Sequence, residues 1–152
     1  MKSRFALTLA AFTLASPAYA WNVTPPGAFT GDGVINVFET VGPNLQCAFS
    51  VSGTVSAKGV ARISRATTNC PTLIQPTGLP WFIRPTTATR ARFPAASFAV
   101  TVLGSCGPAP IRLELTAPGA FKMKITHMAS GVPGSCKVWG NFTTTPALTI
   151  TP

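Results

Sequence analysis

The amino-acid sequence predicts an all-β protein, an antiparallel β-sandwich or small β-barrel stapled by two disulfides. Three observations carry that expectation. Short stretches dominated by Thr, Val, Ile and Phe alternate apolar and polar residues with a period of two, as strands with one solvated face do. The chain has 13 glycines and 15 prolines, scattered between those stretches, and helix interiors tolerate neither residue well. Four cysteines follow a leader of the export type, and exported chains keep paired thiols.

The leader is residues 1–20. Lys2 and Arg4 form a basic head, Phe5 to Ala15 a short apolar stretch, and Pro17 ends the helix before the small–x–small pattern Ala18-Tyr19-Ala20. The apolar stretch falls short of the ~20 residues a membrane span needs, and no later run approaches that length. Residues 21–152 are therefore expected to be a single secreted β domain, periplasmic or extracellular.

Along that domain, Cys47-Ala48-Phe49-Ser50-Val51 sets Cys47, Phe49 and Val51 on one face, and Ala57-Lys58-Gly59 supplies a turn. Pro76, Pro80 and Pro85 interrupt the middle, since proline belongs at sheet edges or in loops. Pro71 to Leu79 accordingly reads as a loop and Trp81 to Ile83 as a short strand or edge. Phe98 to Val102, Ile111 to Leu115 and Phe121 to Ile125 alternate in turn, the last two joined by Ala117-Pro118-Gly119. Gly131 to Gly134 is a turn before the strand Cys136 to Val138, and Thr143 to Ile150 reads as a closing strand. The two halves rhyme weakly, with Cys47 before Gly53 and Cys136 before Gly140.

Four cysteines allow three connectivities. Pairing Cys47 with Cys70 and Cys106 with Cys136 is favoured, because each bridge then brackets a compact antiparallel unit. Loops of this size give roughly 3 kcal/mol of stabilisation per bridge by chain entropy. No C-x-x-C occurs, so a zinc site or redox dithiol fits less well than two staples.

Catalytic chemistry has little to work with. The carboxylates are Asp32, Glu39 and Glu114, and the one histidine is His127. A Ser-His-Asp arrangement would have to recruit His127, which follows the Phe121 to Ile125 alternation and reads as a structural residue at the inner or boundary end of a strand. No G-x-S-x-G, H-E-x-x-H or phosphate-cradling glycine loop is present. Glu114 is expected to face water beside Arg112 or Lys122 rather than to pair with a second carboxylate. No catalytic residue, metal or cofactor is expected.

The formal charge of +9 attracts anions. Lys122 and Lys124 share an outward face by alternation, and Arg84, Arg90 and Arg92 lie in the proline-rich middle. No aromatic platform interleaves with the arginines, which disfavours nucleic acid; plain solubility is the favoured role of the charge, and an anionic cell-surface polymer is a partner it suits. Leu79, Pro80 and Trp81 form the most pointed local feature. Pro80 restricts Leu79, and Trp81 either anchors the core or offers an exposed apolar contact.

Leu45 to Gly53, Cys70, Gly78-Leu79-Pro80-Trp81, Leu103 to Pro108 and Ser135 to Gly140 occur in an order that resembles the alkane oxidation protein activator PraB family of small secreted bacterial proteins. The resemblance implies an exported, non-enzymatic helper of growth on long-chain alkanes and supplies no catalytic residues. Binding at the cell surface or at a hydrocarbon or other apolar interface is the expected role. The alternative is a structural subunit of an extracellular fibre or biofilm matrix, self-associating through strand edges, with segments 21–36 and 143–152 adding to a neighbour's sheet.

Overall fold

A computed structural model describes residues 20–39, 44–70, 72–101, 104–131 and 135–152. The expected leader, apart from Ala20, lies outside the described residues, as do Val102, Leu103 and most of the expected turn before Cys136. Among the described residues are eleven strands: β1 (Asn22–Thr24), β2 (Gly27–Glu39), β3 (Leu45–Val55), β4 (Ala61–Thr68), β5 (Ile74–Thr77), β6 (Trp81–Thr87), β7 (Arg90–Val100), β8 (Gly104–Ala117), β9 (Ala120–Ala129), β10 (Ser135–Thr145) and β11 (Thr149–Thr151).

Of the two architectures expected, the molecule adopts the barrel. β2, β3 and β4 pair antiparallel in sequence order, β4 pairs with β6, β6 with β7, and β7, β8, β9 and β10 follow one another. β10 returns to β2 over ten residue pairs, from Cys136 opposite Glu39 to Thr145 opposite Thr30, which closes the wall. β5 and β6 lie along the same side of β7, at its two ends, so they are two halves of one strand position. The result is an eight-position up-and-down barrel, the size whose interior side chains just fill.

The Pro71 to Leu79 segment, expected as a loop, contains β5. Its Pro76 sits in a four-residue strand that pairs on one side with β7, where the missing N–H is tolerated. Gly78, at φ +67°, and Pro80 then separate β5 from β6. Pro85 and Pro94 likewise sit within β6 and β7, beside register shifts.

The core is the inward row of every strand. Phe49, Trp81, Phe93, Phe98, Phe121 and Phe142 are all buried. Phe93 stacks on Phe142 at 6.4 Å between ring centroids, Phe142 stacks on Phe121 at 5.2 Å and meets Phe49 edge-on at 6.3 Å. These contacts join β7 to β10 and β10 to β3 across the interior, so the barrel axis is occupied by rings.

Each end carries a tie between strands. Cys47 bonds Cys70, and Cys106 bonds Cys136 across the end of β9, the connectivity favoured from sequence. At the opposite end β1 pairs with β11, and Val23 and Leu148 are buried there. Val23 N–H donates to Gly59 O and Gly119 N–H to Leu148 O, tying this small sheet to two hairpin turns. The closing segment is thus divided, with Thr143–Thr145 in β10 and Thr149–Thr151 in β11. Within the chain, β1 pairs with β11, and β2 pairs with β10 and β3, so segments 21–36 and 143–152 take part in these ladders.

Candidate functional site

Trp81 is 1% exposed. Its indole packs between Phe93 and Phe98 at 5.5 and 5.3 Å, and its Nε1–H donates to Thr77 O at 2.9 Å. The exposed-contact alternative for Trp81 is therefore corrected: the residue is a core anchor, and Leu79 and Pro80 beside it are half-buried. The filled interior leaves the outer wall as the surface available for binding.

A β-bulge shapes that wall. The β9–β10 register shifts between Val138 and Gly140, and β9 holds one extra residue there. Lys124 and Ile125 consequently both face outward, and Ile125 is 64% exposed rather than following Phe121 and Met123 inward. The same shift turns His127 to solvent, away from the inner or boundary position expected for it. Gly140 is required beside the bulge, because a Cβ there would collide with the backbone oxygen of Val34 on β2.

Register assembles a row of outward side chains that sequence spacing alone does not reveal. Arg84 lies opposite Arg92, and Arg92 opposite Arg112, so three arginines stand side by side across β6, β7 and β8. Like charges directly opposite repel, and an anion placed among them relieves that repulsion. Arg90 and Lys122 flank Glu114 in the next row, and Lys124 forms a salt bridge with the Glu114 carboxylate. The hydrogen bond and charge of Lys124 hold the Glu114 carboxyl below its ordinary value; desolvation opposes them, and Lys122 and Arg90 add smaller lowering effects. Arg112, Glu114, Lys124 and His127 line one shallow groove between β8 and β9, where the ladder ends at Leu113.

Lys124 also lines a second groove, over β3, β2, β10 and β9. Its lining includes the cross-strand row Gln46–Asn36–Trp139. Asn36 is 8% exposed, and its carboxamide makes no hydrogen bond to the described residues. Leaving such a group unpaired costs about 1–3 kcal/mol. Gln46 and the half-buried Trp139 have no side-chain hydrogen-bond partner there either. Further along the same wall Phe38 is 38% exposed, with the Lys137 ammonium 5.5 Å from its ring centroid.

No group of three or more His, Cys, Asp or Glu side chains converges to hold a metal among the described residues, and no helix among them is long and apolar enough to cross a membrane. A family model described as alkane oxidation protein activator PraA/PraB-like matches residues 1–152, the whole chain. Comparison with curated proteins and with solved structures gives no match.

Proposed function

The chain belongs to the alkane oxidation protein activator PraA/PraB-like family, and from that premise we propose that it is an exported, non-enzymatic helper of alkane utilisation. It works through the outside of its barrel, at the boundary between cell surface and hydrocarbon. The observation that carries this reading is the coexistence of a ring-filled interior with exposed Phe38 and Ile125 on a lysine- and arginine-bearing wall. Apolar side chains favour an oil surface, while the cations favour an anionic envelope polymer, so one face suits both sides of the boundary. Two disulfides fit an oxidising compartment.

Purified protein is expected to adsorb to hexadecane droplets and to cells, and Phe38→Ser with Ile125→Ser to reduce droplet adsorption. Deletion of the gene is expected to slow growth on long-chain alkane but not on a soluble carbon source. Absence of both adsorption and growth phenotype sinks the proposal.

A second reading, self-association in a fibre or matrix, has one observation in its favour. The β4–β6 ladder stops at Ile63, leaving Ser64 to Thr68 of β4 without a ladder on that side. A strictly monomeric, fibre-free preparation in size-exclusion chromatography and negative-stain microscopy removes it.

A further inference from the structure

We infer that the groove over Gln46, Asn36 and Trp139 is a binding subsite for an acidic polysaccharide. The inference names a ligand for the outer wall and rests on that wall being the working surface. Three observations define the chemistry. The Asn36 carboxamide is more than nine-tenths buried in the groove and unpartnered, so a ligand there must offer hydrogen-bonding groups. A hydrocarbon chain laid over it would seal the carboxamide from water without replacing any hydrogen bond. Gln46 and the Trp139 N–H extend the unpaired set on either side of Asn36, and sugar hydroxyls both donate and accept.

The Trp139 indole supplies what amides lack, a flat apolar surface for the C–H face of a sugar ring. Lys122 and Lys124 line the same groove, and Lys124 leads on to the arginine row of β6 to β8. A carboxylate or other anionic substituent on the sugar is thereby favoured over a neutral one. A single-stranded nucleic acid shares the charge but is held by stacking successive bases on several aromatic platforms. Trp139 is the one aromatic side chain facing outward in this groove.

The test is calorimetric titration of the processed, disulfide-intact protein with polygalacturonate oligosaccharides. Native protein is expected to bind them, to bind neutral cello-oligosaccharides at least tenfold more weakly, and to weaken as salt is added. Trp139→Ala and Asn36→Leu are each expected to reduce affinity tenfold or more with unchanged circular dichroism. Gln46→Ala, at an exposed position, reads the amide contribution should Asn36→Leu fail to fold. Lys122→Ala with Lys124→Ala is expected to flatten the salt dependence. No binding of polygalacturonate overturns the inference. So does binding to dextran sulfate or an oligodeoxynucleotide that is equally tight and indifferent to Trp139→Ala, since that is attraction to charge alone. Hexadecane adsorption measured on the same variants keeps the two readings apart, because Phe38→Ser, outside the groove, acts on adsorption and Gln46→Ala on the sugar.

Discussion

Asn36 and Trp81 are both largely buried side chains with polar tips, with opposite outcomes. Trp81 places its N–H on Thr77 O and its rings among Phe93 and Phe98, so burial is fully compensated. Trp81→Ala is expected to lower stability by about 3–5 kcal/mol in denaturant titration; a loss under about 1 kcal/mol would contradict its role as an anchor. Asn36 has no such partner, and Asn36→Leu is expected to raise stability by about 1–3 kcal/mol while weakening the groove's ligand binding. Glu114 titrates below its ordinary value because Lys124 bonds it. Its folded value lies below its unfolded one, so what the pair contributes is present above the ordinary carboxylate range and is lost as pH falls through the lowered folded value. Glu114→Gln frees Lys124, and tighter binding of dextran sulfate by that variant is the expected readout. Sequence alternation placed Glu114 in a surface ion pair but beside Arg112 or Lys122; the partner is Lys124, which shares the groove lining with Glu114. Alternation could not identify Asn36, whose special position is an absence of partners created by folding.

At the scale of elements, the alternating stretches were legible because one face of each strand is buried. Cys47, Phe49 and Val51 of β3 and Ile111 and Leu113 of β8 all face inward as their spacing predicts. Alternation fails at the bulge in β9, where one extra residue reverses the facing of Ile125 and His127. β5 escaped notice because Pro76 signals a loop, yet its strand is bonded by a ladder on one side alone. The arginine row was illegible for a different reason: Arg84, Arg92 and Arg112 become neighbours only once the pairing of β6, β7 and β8 is set. The cysteine pairing was readable, since each bridge joins elements close in sequence. Replacing Cys106 and Cys136 together by alanine is expected to cost about 2–4 kcal/mol, read as a shifted denaturation midpoint. An unchanged midpoint would show that the β1–β11 end and the aromatic core suffice.

For the molecule as a whole, rings from β3, β7, β9 and β10 meet inside the barrel, and on the exterior register has collected cations, an indole and amides, the face on which the proposed function rests. Sequence reached the fold class; the choice between sandwich and barrel depended on β10 returning to β2, a long-range pairing that no local pattern encodes. The most direct measurement is methyl and aromatic NMR of the disulfide-intact protein titrated with dispersed hexadecane. Perturbation and solute contacts are expected at Phe38 and Ile125, with Ile35, Ile111, Leu113 and Phe142 unmoved. Contacts from hexadecane to Phe93, Phe121 or Phe142 would mean that the barrel opens to hold hydrocarbon inside, and would contradict a protein that works through its outer wall.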